Sequence, residues 1–103
     1  MIIYNETINI EESYEAEWLS WMQEHHIPKT MNTGLFVSSK MTKVLVEEKM
    51  GGATYSIQYS CENAEKLSDY QTRYATKLQE EHNAKYDGKF VAFRTILKVI
   101  IEF

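Results

Sequence analysis

The apolar residues of this chain switch from a period of two to a period near 3.6 and back, and then do so again; few folds accommodate that order. Residues 2–10 place Ile2, Tyr4, Ile8 and Ile10 on one parity and Ile3, Asn5, Thr7 and Asn9 on the other, the alternation of a half-buried strand. Tyr14, Trp18, Met22 and His26 then recur at every fourth position, with Leu19, Trp21 and His25 in the same arc, which predicts an amphipathic helix. Glu11, Glu12 and Glu15 suit its positive end. Pro28 lacks the amide that would bond the carbonyl of residue 24, so the helix should bend or stop there, and Asn32-Thr33-Gly34 finishes it.

Residues 35–49 return to strand chemistry through Phe36, Val37, Val44, Leu45 and Val46, and Met50-Gly51-Gly52 reads as the tight turn of a β-hairpin. The returning strand, 53–61, alternates Tyr55, Ile57, Tyr59 and Cys61 against Thr54, Ser56, Gln58 and Ser60. A second helix follows, capped by Asn63, with Leu67, Tyr70, Tyr74, Leu78, His82 and Tyr86 as its stripe. Asp87-Gly88 ends it, and 89–103 forms a last strand. The order β-α-β-β-α-β predicts one ferredoxin-like domain over residues 1–103: an α+β sandwich with an antiparallel four-stranded sheet and both helices on one face.

Parity assigns Ile2, Tyr4, Ile8, Tyr55, Ile57, Tyr59, Val91 and Phe93 to the face under the helices. The other face then carries Asn5, Thr7, Ser56, Gln58, Arg94 and Lys98 among Ile3, Phe90, Ile96 and Ile100. Water can cover such a mixed face. A second copy can cover it too, and the interspersed aliphatic and aromatic residues point to a homodimer stacked sheet to sheet, a dimeric α+β barrel.

Charge narrows the partners. Fifteen acids against 11 bases give −4 and a pI near 5.3, a balance that repels a phosphate backbone and argues against nucleic acid. The lone Cys61 can form neither an internal disulfide nor a thiol metal cluster, so a reducing cytoplasm is expected. The opening MIIYNETINI is not a signal peptide, and Val99-Ile100-Ile101 is far short of the ~20 apolar residues of a membrane span. No His-x-x-x-His occurs, and the adjacent His25 and His26 diverge by about 100° on a helix, so no metal site is expected. The chain has no Gly-rich phosphate loop or Gly-x-Ser-x-Gly, and no cofactor is expected from its motifs.

The segments MIIYNETINI, EWLSWMQEHHIPKTMNTGLF, GGATYSIQYSCEN and GKFVAFRTILKV resemble an uncharacterised bacterial family of domains of unknown function. That family is in turn similar to the dimeric α+β barrel superfamily, which includes antibiotic-biosynthesis-type monooxygenases, haem-degrading enzymes, isomerases and members without known activity. The resemblance implies the fold and the dimer and assigns no reaction. Cofactor-free oxygenases of the superfamily pair a first-strand Asn with a Trp and a His or Tyr. Asn5 and His82 match two of those roles, but no Trp occurs between residues 53 and 86.

Candidate site residues follow from the two stripes. His26 and His82 stand near the C-terminal ends of their helices, and pseudo-symmetry would place them on one rim, as general bases, as haem or metal ligands, or as core imidazoles bonded to backbone. Trp18, Met22, Tyr59 and Phe93 would join them around a helix–sheet cleft suited to a flat hydrophobic molecule, or would be plain core. Asn5 and Arg94 belong to the polar opposite face, where Arg94, a mid-strand charge, would hold a ligand carboxylate or pair across the dimer with Glu6 or Glu102. Cys61 before a helix start would have a lowered thiol pKa. Two functions stay open: a small-molecule protein, enzyme or carrier, using that cleft, and a non-catalytic dimeric scaffold or regulatory module.

Overall fold

A computed structural model describes residues 1–46, 49 and 51–103 of the chain. Four antiparallel strands, β1 (Ile2–Ile10), β2 (Ser38–Lys43), β3 (Ala53–Cys61) and β4 (Phe90–Lys98), form one sheet in the order β2-β3-β1-β4. Helix α1 runs over residues 15–31 after a short 3-10 turn, Glu12–Tyr14, and α2 over residues 64–85. Both pack on the same sheet face, so the core lies between them and the even residues of β1. This is the ferredoxin-like α+β sandwich.

Local chemistry explains the element ends. Helix α1 passes Pro28 by widening: Met22–His26 is a π turn in which the Ile27 amide donates to the Met22 carbonyl. The wider register comes just before the position with no amide, and the helix continues to Met31. Gly34, at φ +77°, then closes it. Asn63 caps α2, its side-chain oxygen accepting from the Lys66 amide at 2.9 Å.

Three sequence expectations are corrected. The strand expected over 35–49 is only Ser38–Lys43. Phe36 precedes it and is buried against Tyr4, Tyr59 and Tyr70. Val44, whose amide still bonds Thr54, is followed by exposed Leu45 and Val46. Of the expected turn, Met50 lies outside the described residues, while Gly51 and Gly52 have φ of +81° and +74°. The last strand stops at Lys98, which pairs with Ile2, the first residue of β1. Beyond it the Val99 amide donates to the Met1 carbonyl at 3.0 Å, and residues 100–103 are not part of the strand.

The third correction concerns the faces of β4. Tyr4 opposes Ile96, Glu6 opposes Arg94 and Ile8 opposes Ala92, and residues opposed in a ladder share a face. Phe90, Ala92, Arg94 and Ile96 therefore lie on the helix side, and Val91, Phe93 and Leu97 on the open side with Asn5 and Thr7. Arg94 and Asn5 are on opposite faces, and Phe93 cannot reach the helix–sheet gap. Period two could not decide this, because β4 is apolar on both parities.

Gly52 is held by its neighbours. A Cβ there would stand 2.8 Å from the Ile10 carbonyl oxygen, in a backbone conformation that L residues avoid. Gly52→Ala is expected to cost about 2 kcal/mol or more, read as a lower urea midpoint at unchanged m-value.

Candidate functional site

The helix–sheet gap contains a charge that the alternation of β1 conceals. Glu6 shares the inward parity of Tyr4, Ile8 and Ile10, and its side chain is 6% exposed. The register sets Arg94 directly opposite, and its Nε donates to Glu6 Oε2 at 2.9 Å. Arg94 is the outer partner, with 31% of its side chain exposed. Burial pushes the Glu6 carboxyl up, and Arg94 pulls it down by charge and hydrogen bond without cancelling the rise.

Around this pair stand phenols from three elements. Tyr4 on β1, Tyr59 on β3 and Tyr70 on α2 are all buried, and burial raises each hydroxyl, as does the charge of Glu6. Gln79 Nε2 donates to the Tyr4 hydroxyl at 3.4 Å. The Tyr59 hydroxyl is buried with no hydrogen-bond partner. Beside the pair the cover thins: Phe90 and Ala92 are half-buried, whereas Arg94 and Ile96 are exposed on the helix-facing side of β4. This uncovered part of β4 forms a ledge on which Arg94 sits.

The histidines occupy the helix side of the same layer. His26 and His82 are 5% and 4% exposed, with ring centroids 5.6 Å apart. The rings of Trp21 and Phe90 lie against them. Trp18 Nε1 donates to His82 Nε2 at 2.9 Å, so the neutral ring carries its proton on Nδ1. The Nδ1 of His26 is buried without a partner. Burial depresses both imidazoles to about 4, with the charge of Arg94 adding to the effect. Just outside, Lys29 bridges the helices to Glu81 at 3.0 Å, over a surface hollow of about 350 Å³ lined by Trp21, His25, His26 and Lys85.

The remaining candidates are placed as follows. Trp18, Met22 and Tyr59 are fully buried and fill the middle of the gap. Asn5 lies on the open face, accepting from Ser56 Oγ at 2.6 Å and donating to Thr7 Oγ1 at 3.2 Å. Phe93 is on that face too, 64% exposed. The expected thiolate at Cys61 is corrected: burial pushes the thiol up, and its Sγ contacts the Asn63 carbonyl oxygen at 3.5 Å. Among the described residues, no three His, Cys, Asp or Glu side chains gather to hold a metal ion, and no helix is long and apolar enough to cross a membrane. Sequence reasoning missed Glu6 as a site residue, although an acid in an otherwise apolar row was visible.

A family model described as a domain of unknown function (DUF4286) matches residues 1–100. No curated protein matches the sequence. The fold resembles several solved structures. An ethyl tert-butyl ether d (ethd) family protein from Bacillus halodurans is 16% identical, with TM-score 0.71 over 97% of this chain and 100% of that one. A dimeric ferredoxin-like protein from an uncultured marine organism is 8% identical, with TM-score 0.76 over 99% and 97%. A mutant of MhuD with two manganese protoporphyrin IX bound per active site is 14% identical, with TM-score 0.68 over 100% and 98%. At these identities the likeness shows the fold alone.

Proposed function

The chain belongs to the DUF4286 family of domains of unknown function, and from that premise we propose that it is a homodimeric small-molecule-binding protein. Its ligand is a small, flat, largely hydrophobic molecule taken into the helix–sheet cleft from the β4 ledge. The observation that carries this reading is the Glu6–Arg94 pair: an inner carboxylate, an outer guanidinium open to solvent, and the unpartnered Tyr59 hydroxyl buried in the same gap. Buried polar groups without partners are uncommon in a core that serves only packing. Gln79 bonds the Tyr4 hydroxyl, Ile96 is exposed beside Arg94 on β4, and His26 and His82 are buried in the same layer as neutral imidazoles. A related fold that binds protoporphyrin in its active site supports the choice of flat ligands.

The dimer half of the reading rests on the open sheet face, where Val91, Phe93 and Leu97 form an exposed apolar row on an edge strand. A dimeric neighbour of the same fold supports it. The buried lone thiol fits a reducing compartment, and we place the protein in the cytoplasm. The complete burial of Trp18, Met22 and Tyr59 favours the second reading, a dimeric scaffold with no ligand.

Titration with haem and a panel of flat aromatics, followed by fluorescence of Trp18 and Trp21, separates the two. Saturable quenching at micromolar ligand, lost in Arg94→Met, is the expected result. Light scattering should give about twice the 12.1 kDa chain mass. A stable dimer that binds no member of the panel would leave the scaffold reading in its place, and a monomer would end the dimer reading.

A further inference from the structure

Resting on the ligand site described above, we propose that the ligand is a monoanion, a carboxylate on a flat apolar body, and that Glu6 takes up one proton when it binds. The anion docks on Arg94, whose Nε donates to Glu6 and whose guanidinium also stands beside the Tyr4 hydroxyl, while 31% of the side chain is open to solvent. A guanidinium has a planar fork of donors that fits a carboxylate through two parallel bonds. The exposed side of the guanidinium is thus a half-occupied carboxylate receptor. Ile96, next in the same row of β4, is 55% exposed and gives the apolar body a surface to lie on.

The proton follows from counting charges around Glu6. Facing it are Tyr4 from its own strand, Tyr59 from β3, Tyr70 from α2 and Arg94 from β4. The phenols are neutral, and so are His26 on α1 and His82 on α2 at neutral pH. Among the described residues, Arg94 is therefore the one cation that offsets the buried carboxylate. When a second carboxylate shares that guanidinium, one positive charge faces two negative ones, and the deeply buried partner is the costlier to keep ionised. The balance is simple. Ligand carboxylate, Glu6 carboxylate, Arg94 cation and one proton from solvent give ligand carboxylate paired with Arg94 beside neutral Glu6. No covalent bond other than O–H is made.

One cation also sets the ligand's charge. A dianion would leave a net negative charge beside Arg94 even after Glu6 is protonated, the next cation in that row of β4 being Lys98, two residues past Ile96. An uncharged analogue would forgo the fork altogether.

The test is calorimetric titration of the full chain at pH 7 with naphthoate, benzoate and naphthamide, in buffers of different ionisation enthalpy. Naphthoate is expected to bind with uptake of about one proton per site, and naphthamide at least about tenfold more weakly with none. Wild-type affinity for naphthoate should rise as the pH falls from 8 toward 6. In Glu6→Gln the repelling charge is gone, so naphthoate should bind more tightly, with no proton uptake and a flat pH profile. Should that variant not fold, the wild-type buffer series and the naphthamide comparison decide alone. Naphthoate binding without proton uptake in the wild type, uptake surviving in Glu6→Gln, or equal binding of naphthamide would each overturn the inference while leaving the ligand site standing. Failure of naphthoate, benzoate, naphthamide and the flat aromatic panel alike to bind would instead remove the site itself.

Discussion

Acidification from pH 7 to pH 4 is expected to remove several kcal/mol of stability, most of it through two buried histidines. His26 and His82 are buried as neutral rings, with pKa values depressed to about 4 in the folded chain against the ordinary 6.5. In the unfolded chain both pick up protons as the pH falls through 6.5, while in the folded chain they do not. Stability is thus complete above about 6.5 and falls steadily until the folded rings protonate near 4. At about 1.4 kcal/mol for each pH unit and each ring, the loss is about 3 kcal/mol for one histidine. For the pair it approaches about 6 kcal/mol, against a total of about 5–15 kcal/mol for a small domain. Protonating one ring also opposes protonation of the other, 5.6 Å away.

The shifted carboxyls act differently. Glu6, raised by burial, works in the opposite sense: folding favours its protonated form, so it lends stability as the pH falls toward its unfolded value. Glu15 is held down first by the Tyr55 hydroxyl and then by Lys43, and its contribution is lost only below the ordinary carboxylate range. Melting temperatures at half-unit steps from pH 7.5 to 4 should therefore fall most steeply between 6.5 and 4. The doubly substituted His26→Gln, His82→Gln chain should start lower and lose that slope. A wild-type melting temperature that holds level down to pH 4.5 would show that the two rings are not buried as neutral groups.

How much of this was legible beforehand depends on where an element's information resides. The strands β1 and β3 announce their inward faces because Ile2, Tyr4, Ile8 and Ile10, and Tyr55, Ile57, Tyr59 and Cys61, alternate with polar residues. The Asn63 cap is equally local, one side chain bonding an amide of its own helix. In contrast, β4 carries Phe90 and Ile96 on one parity and Val91, Phe93 and Leu97 on the other. Its face is chosen by pairing with β1, a fact about two distant segments, and the wrong choice moved both Arg94 and Phe93. Likewise β2 is shorter than its apolar run, since Leu45 and Val46 extend past the six residues that pair with β3. The histidines came together as their matching places on the two helices implied, but only the packed layer reveals that Trp18 donates to His82 and that Glu6 lies in the same gap.

Replacing Arg94 by Met should destabilise the protein by about 3 kcal/mol at pH 7, and replacing Glu6 by Leu in the same chain should restore most of that loss. The single change leaves Glu6, 6% exposed, as a buried carboxylate with no cation, which is the costly way to break an ion pair. Part of the cost is escaped by protonation, so the single variant's deficit should shrink between pH 7 and pH 5, the opposite trend to that imposed by the histidines. The double change removes both desolvated charges and fills the space with apolar groups against Ile57 and Tyr4. Urea midpoints of the wild type and the three variants at pH 7 and pH 5 close the thermodynamic cycle. If the double variant is as stable as the wild type and binds no aromatic, the ion pair contributes nothing to folding that leucine and methionine could not. Its place in the middle of an apolar row is then accounted for by the ligand. Equal deficits for single and double variants would mean that Glu6 is comfortable without Arg94, and the charge balance on which ligand capture depends would fail with it.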